Sequence, residues 1–265
     1  MKRQLQIGCL VLLISAFGHS AGVQPQTLAT NEVVAQVRKN IVQFRDTLPD
    51  FVCNETITSR VIENEKVREQ RIIESLFTWA RKNTESMPVE SREVLAIDGK
   101  PVRKGTKMPK APFLPNQPTV NPLFVLLGEA GASPYFYDYK SNGRENVGEV
   151  STLRIEFEQM QARIGSLRFA GTVWVDTAVM QAVRTETHLL GFAKSSVMDE
   201  FDSYSILTDY SRVEINTKPY WLPKSVKVEG TRKKGGVSNG YIARYLAEYA
   251  DCHKFDASVE LNFGK

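Results

Sequence analysis

Few residues in this chain have the types and spacing that enzyme chemistry requires. His188 and His253 lie about 65 positions apart, and neither has a second His or Cys at the spacing of metal ligands. His253 follows Cys252, and the simplest interpretation is a surface histidine beside a cysteine that forms a disulfide. The sequence therefore predicts no metal site and no cofactor.

The acidic residues offer one further source of chemistry, because paired carboxylates can hydrolyse glycosides. Glu156 and Glu158 are two positions apart, and Asp199, Glu200 and Asp202 form a second group. Residues two apart on a strand share a face at about 7 Å, and such clusters usually lie in water. We expect both groups to be solvated, as we expect for His188 beside Glu186 and Arg184.

The first residues predict a secretory signal peptide. Lys2 and Arg3 precede an apolar run from Ile7 to Phe17, and small residues follow up to Ala21. The run is shorter than the roughly 20 residues that span a bilayer as a helix. We expect cleavage after about residue 22 and a periplasmic or secreted chain, with residues 23–265 as a single domain. Loss of the two cations lowers the net charge from +4 to +2, which argues against nucleic acid as a partner.

Removal of the signal peptide leaves two cysteines, Cys53 and Cys252, in a compartment where thiols are oxidised. We predict that they form a disulfide, which would place the first strand beside the last part of the chain. Closing a loop of about 200 residues removes denatured-state entropy worth on the order of 5 kcal/mol. A reactive thiol is the alternative, but neither cysteine belongs to a redox motif.

The remaining chain predicts one helix followed by about ten strands. Apolar residues recur with helical spacing from Asn31, a predicted N-cap, to Thr47. Extended runs joined by short turns then follow, including a strong turn signal at Asp98-Gly99. We place strands at about 53–62, 67–79, 90–97, 135–139, 149–158, 204–215, 220–229 and 241–252. This series suggests a large antiparallel sheet that curls.

Residues 100–134 interrupt the strands with seven prolines. A long irregular segment in a compact domain is typically a functional loop or lid. Within it, Asn121 and Pro122 are suited to begin a short helix. The apolar run that follows must be buried against another surface, and we predict that it forms a lid from Phe124, Val125, Leu126 and Leu127.

The segment after residue 166 has the clearest strand pattern in the chain, with alternating side chains as in a strand with one buried face. We predict a hairpin that turns at 176–178 and returns over 179–188. The apolar positions are Leu167, Phe169, Val173 and Val175, and the opposite positions are Arg168, Thr172, Trp174 and Asp176.

This hairpin, Gly171-Thr172-Val173-Trp174-Val175-Asp176 followed by Val179 to Glu186, resembles part of the LolA/LolB-like superfamily. These proteins are the unclosed β-barrels of bacterial lipoprotein carriers and of periplasmic regulators related to RseB. The resemblance implies a mainly β fold with α: a large curled antiparallel sheet (half-barrel) with an N-terminal helix and a short lid helix. It also implies a concave apolar surface suited to acyl chains. The carriers are shorter, and no ligand-contacting residue carries over individually.

Together these features lead us to expect a soluble periplasmic binding or carrier protein, and not an enzyme. Its ligand would be a lipid or a lipoprotein acyl chain, held by apolar burial. A filled core without a cavity is an open alternative, as are an interaction or sensor module of the envelope and a hydrolase of unknown substrate. The residues predicted to line the concavity or its core, besides the lid, are Leu167, Phe169, Val173, Val175, Val226 and Val228.

Overall fold

The fold was analysed in a computed structural model, which describes residues 29–81, 88–113, 137–160, 168–191, 201–232 and 241–255. The predicted signal peptide and the predicted lid helix lie outside these residues. One helix, α1, spans Thr30–Thr47. The strands are β1 Phe51–Glu63, β2 Lys66–Ala80, β3 Val89–Ile97, β4 Lys100–Pro101, β5 Tyr137–Val147, β6 Val150–Gln159, β7 Arg168–Asp176, β8 Gln181–Gly191, β9 Phe201–Ile215, β10 Lys218–Arg232 and β11 Ile242–Lys254.

The strands form one antiparallel sheet in the order β4-β3-β2-β1-β11-β10-β9-β8-β7-β6-β5. Every neighbour in the sheet is also a neighbour in the chain except the pair β1 and β11. The sheet does not close, because β4 and β5 remain as its edges. The predicted half-barrel of antiparallel strands with an N-terminal helix is therefore confirmed.

Tight turns account for several of the hairpins. Both residues of each two-residue turn have positive φ, as in the type I′ turns that match the twist of paired strands. These turns are Asn64 (49°) with Glu65 (62°), Asp98 (50°) with Gly99 (73°), and Asn216 (51°) with Thr217 (63°). The turn predicted at Asp98-Gly99 is confirmed.

The helix begins earlier than its sequence suggested. Ala29 is the N-cap, and the prediction of Asn31 in that role is wrong. The reason is Glu32, whose carboxylate accepts a hydrogen bond from the Ala29 N–H at 3.2 Å and thereby satisfies the first turn.

The fifth strand is longer than predicted, because its second half carries no apolar pattern. Strand β5 continues to Val147, although residues 140–146 are all polar or Gly. It is an edge strand that faces water, and a register shift between Ser141 and Arg144 accommodates Gly143 at a φ of 80°. The predicted end at residue 139 is therefore wrong.

The hairpin of β7 and β8 forms as predicted, but its outer face is also covered. Trp174 and Thr172 are both buried, although the alternation placed them on the solvent side. The Trp174 indole donates to the Glu145 carboxylate at 3.0 Å, and the Arg184 guanidinium lies 5.9 Å from its ring centroid. The turn occupies 177–180, so β8 begins two residues later than expected.

The predicted disulfide is confirmed. Cys53 and Cys252 are bonded across 199 positions of sequence and join β1 to β11, the one strand pair that the chain connects over a long distance. The bond lies beside a buried cluster of side chains from the C-cap of α1 and from β1, β2, β9 and β10. We call this the disulfide cluster; its buried members are Leu48, Phe51, Cys53, Phe77, Trp79, Ile215, Tyr220 and Leu222.

Candidate functional site: the inner face of the sheet

The side of the sheet that packs against α1 is its inner face, and strand pairing shows which residues belong to it. Directly paired residues on neighbouring strands point to the same side. One row of pairs crosses the sheet without interruption, and all its members are buried: Ile73, Ile57, Ala247, Val226, Thr208, Thr185, Val173 and Ile155. This row of the inner face is thus continuous and consists of apolar side chains and two threonines.

The helix covers one part of this face. Its buried stripe packs against strands β6 to β9 and forms what we call the helix cluster: Val33, Val34, Val37, Ile41, Ile155, Phe157, Val173, Val175, Ala182 and Tyr210. Arg38 Nη2 donates to the Tyr139 hydroxyl at 3.0 Å, and Asn40 Nδ2 donates to the Met180 carbonyl at 2.9 Å. These side-chain contacts fix the helix on the sheet.

An irregular segment covers another part. Residues 102–113 include no helix or strand, yet Phe113 is buried and its ring contacts those of Phe201 and Tyr204 at centroid distances of 5.6 and 6.4 Å. We call this group the loop cluster: Ile57, Ile73, Val94, Phe113, Phe201, Tyr204, Ile206, Val226, Val228, Ala243, Tyr245 and Ala247. Val102, Met108 and Ala111 pack against it.

A single side chain anchors the end of this segment. The Ser59 hydroxyl donates to the Phe113 carbonyl at 2.7 Å and accepts from the Phe113 N–H at 2.8 Å. Ser59 itself is fully buried on β1. The two bonds satisfy the backbone of Phe113 where it crosses the apolar face, which irregular chain requires if it is to be buried.

A buried ion pair lies on the same face. Glu55, with a side chain 0 % exposed, pairs with Arg92, which is 22 % exposed. Arg92 Nε donates to Glu55 Oε2 at 2.7 Å and Nη2 donates to Oε1 at 2.9 Å. The hydroxyls of Ser75 and Tyr249 donate to the same carboxylate at 2.7 and 2.9 Å. Burial alone would lower the pKa of Arg92, but the hydrogen bonds and charge of Glu55 raise it above its ordinary value.

The sequence had not pointed to this pair. Glu55 occupies an inward position of β1 between the outward Asn54 and Thr56, so its place in the alternation was the available signal. A charged residue at a buried position of a strand demands a counter-charge. Arg92 lies 37 positions further along the chain, and only the pairing of β1, β2 and β3 brings the two together.

The predicted ligand residues are divided between the two covered parts. Val173 and Val175 belong to the helix cluster, where they pack with α1, and Val226 and Val228 belong to the loop cluster. Phe169 is half-buried and pairs with Leu189, which packs against the loop cluster. Leu167 and the predicted lid residues 124–127 lie outside the described residues.

The outer face carries His188, Glu156 and Glu158, which the sequence analysis considered for chemistry, whereas Asp199 and Glu200 lie outside the described residues. His188 Nε2 lies 3.5 Å from Glu186 on a half-exposed ladder, and with Glu156 and Glu158 it borders an open groove of about 340 Å³. Within the residues that the structure describes, no three His, Cys, Asp or Glu side chains are grouped to hold a metal ion. Among the described residues, no helix is both long enough and apolar enough to cross a membrane.

A second groove, of about 660 Å³, lies beside the tip of the β5–β6 hairpin. Arg184 and Asp209 line it and form an ion pair at 2.6 Å. Tyr210 and Trp221 contribute aromatic surface.

One further motif lies in the sequence between β10 and β11. Residues 236–240 read Gly-Val-Ser-Asn-Gly, which has the Gly-x-Ser-x-Gly spacing of the nucleophile elbow of α/β-hydrolases. These residues are outside the described ones. The elbow joins a strand to a helix, whereas the elements on either side here are both strands of an antiparallel sheet. The motif therefore lacks the context in which its serine acts as a nucleophile.

Comparison with known proteins gives similar folds at low sequence identity. No protein-family model matches the chain, and no curated protein matches it. A DUF1329 family protein from Desulfovibrio piger is 12 % identical, with 88 % of this chain and 95 % of that chain covered and a TM-score of 0.40. An outer membrane lipoprotein-sorting protein domain from Vibrio parahaemolyticus is 12 % identical, with 86 % of this chain and 93 % of that chain covered and a TM-score of 0.37. A LolA superfamily protein from Nitrosomonas europaea is 11 % identical, with 86 % of this chain and 94 % of that chain covered and a TM-score of 0.35. The matches include a protein of the superfamily that the sequence resembles.

Proposed function

We propose that this protein is a periplasmic carrier or binding protein that holds an apolar ligand, a lipid or an acyl chain, on the inner face of its half-barrel. The observation that carries the proposal is the way in which the loop cluster is covered. An apolar face in a β protein is normally sealed by a second sheet or by a helix. Here irregular chain, residues 102–113, seals it.

Such a cover can leave the face at a modest cost. In the described residues, its contacts with the sheet are side-chain packing, the two Ser59 bonds and a bond from the Val102 N–H to the Leu95 carbonyl at 2.9 Å. Each such hydrogen bond contributes about 1 kcal/mol net. Displacement would expose Val226, Val228 and their neighbours, and a ligand acyl chain would bury them again at about 25 cal/mol per Å².

The ligand surface is therefore assigned to the loop cluster, with residues 124–127 as an additional apolar cover. Val173 and Val175 are assigned to the supporting core, because they already pack with α1. The ion pair of Glu55 and Arg92 borders this surface through Tyr245 and Tyr249, and we assign it a structural role because its hydrogen bonds are made within the sheet.

The experiment is uptake of N-phenyl-1-naphthylamine, a probe that fluoresces in apolar sites, followed by stopped flow. We expect saturable uptake by the wild-type protein. Ser59→Ala removes both bonds to Phe113, so the population of the open form should increase and the uptake rate should rise about thirtyfold.

The matched control is Ser203→Ala. Ser203 also forms a hydroxyl hydrogen bond, to Thr231 at 3.1 Å, but on an exposed part of the sheet. Its uptake rate should equal that of the wild type. Absence of saturable uptake in the wild type would refute the proposal, and equal rates for the two variants would refute the assignment of residues 102–113 as the moving cover.

A further inference from the structure

Two buried hydroxyls on the inner face have no hydrogen-bond partner among the described residues. Thr208 is 0 % and Tyr210 is 7 % exposed, and neither Thr208 Oγ1 nor Tyr210 OH has a hydrogen-bond partner among the residues that the structure describes. Both lie on β9, two positions apart, and thus on one side of the strand. A buried hydroxyl that lacks a partner is costly, and native proteins rarely leave one so.

Equivalent residues elsewhere in the sheet are satisfied. Thr152, also 0 % exposed, donates to the Glu145 carbonyl at 2.5 Å. Tyr220, also 7 % exposed, donates to the Thr47 carbonyl at 3.1 Å. The absence of partners at Thr208 and Tyr210 is therefore a local property, and it calls for a group that binds there.

The two hydroxyls lie at the seam between the two covered parts of the inner face. Thr208 pairs with Val226 of the loop cluster on one side and with Thr185 on the other, and Thr185 pairs with Val173 of the helix cluster. Burial raises the pKa of Tyr210, and the nearby hydroxyls of Thr185 and Thr208 partly oppose this rise. Three hydroxyls thus converge where an acyl chain on the loop cluster would end.

We propose that Thr208 and Tyr210 donate hydrogen bonds to the carbonyl oxygen of a fatty acyl ester whose chain lies on the loop cluster. This inference rests on the proposed function. A carbonyl oxygen has two lone pairs and accepts two donors. The two proposed donors are neutral hydroxyls and a buried carboxylate would need a counter-charge, so a neutral acceptor fits better than a carboxylate. Tyr210 also lines the groove of about 660 Å³.

The test compares two probes that differ in this carbonyl. Monopalmitoylglycerol has the ester, and 1-O-hexadecylglycerol has an ether in its place. Competition with N-phenyl-1-naphthylamine should show that the wild type binds the ester about tenfold more tightly. Tyr210→Phe and Thr208→Val should each lose most of this preference, while the controls Tyr220→Phe and Thr152→Val should keep it.

Unfolding of the ligand-free variants gives a second readout. The urea midpoint should fall for Tyr220→Phe and Thr152→Val, which lose hydrogen bonds, and should hold or rise for Tyr210→Phe and Thr208→Val, which lose none. An equal fall in all four would show that the two hydroxyls have partners and would overturn the inference.

The outcomes separate the two proposals. Equal binding of ester and ether by the wild type, or equal weakening of both by the variants, overturns the ester site and leaves the carrier intact. Binding of neither probe refutes the carrier as well.

Acyl esters occur both in free glycerolipids and in diacylglyceryl-modified cysteine. A dipalmitoylglyceryl-cysteine peptide is therefore the third probe in the competition experiment. Tighter binding of that peptide supports the ester site with an acylated protein as its source, and tighter binding of monopalmitoylglycerol supports it with a free lipid.

Discussion

Replacement of Arg92 with methionine should destabilise the protein far more than loss of any exposed arginine. Methionine keeps most of the apolar stem of the arginine side chain. The guanidinium that it removes lies 5.0 Å from the Phe77 ring centroid. It removes the counter-charge of Glu55, whose side chain is 0 % exposed. The hydroxyls of Ser75 and Tyr249 remain, but they carry no charge. An unpaired buried carboxylate costs about 3–5 kcal/mol.

The matched control is Arg244→Met. Arg244 Nε donates to Glu229 at 2.6 Å, a bond as short as that of the buried pair, but the two side chains are 44 % and 32 % exposed. Water solvates the remaining charge there, so the loss should stay below about 1 kcal/mol. The difference in unfolding free energy between the two variants reports the effect of burial, because both remove an arginine that forms a short hydrogen bond to a glutamate.

The assay is urea unfolding followed by circular dichroism. With a slope of about 2–3 kcal/mol per M, Arg92→Met should lower the midpoint by about 1–2 M. Adding Glu55→Gln should recover much of the loss, because glutamine is neutral and still accepts from Ser75 and Tyr249. If Arg92→Met costs no more than Arg244→Met, Glu55 is not held as a buried carboxylate and the reasoning is wrong.

Three further predictions follow from the same structure. Gly171→Ala should lower stability by more than about 2 kcal/mol in urea unfolding, because its Cβ would lie 1.9 Å from the Glu186 carbonyl oxygen; a neutral result would contradict this packing. Burial raises the pKa of Tyr204 from 10.0 to about 12. The neutral hydroxyl therefore contributes stability that is complete below pH 10 and is lost as the pH rises towards 12, and Tyr204→Phe should flatten this decline in urea midpoints measured across that range. Replacing Cys53 and Cys252 together with serine should lower stability by about 3–5 kcal/mol, and a reductant should shift the urea midpoint of the wild type but not of this variant.

The parts of the fold that the sequence predicted are those with strong local signals. The stripe of α1, the hairpin of β7 and β8 and the turn at Asp98-Gly99 depend on periodicity or turn chemistry within a few residues. The disulfide followed from the count of cysteines and from the prediction of an oxidising compartment. The second half of β5 was missed because an edge strand facing water has no apolar alternation to read.

The candidate site was harder to predict, because it is assembled from distant strands. The row from Ile73 to Ile155 is set by register across eight strands, and no local pattern determines it. The same holds for Glu55 with Arg92 and for Thr208 with Thr185. The capping of α1 by Glu32 was, by contrast, a local signal, since Glu at the third helical position is typical of a helix start.

The most direct test of the central claim is to ask what the protein carries when it is isolated. Protein purified from its source cells under non-denaturing conditions would be measured by native mass spectrometry. It would then be extracted with organic solvent and the extract analysed. The account predicts a discrete mass increment that disappears on extraction, together with an acyl-ester lipid recovered at close to one per chain. A chain that has the mass of its polypeptide alone and yields no lipid would contradict it.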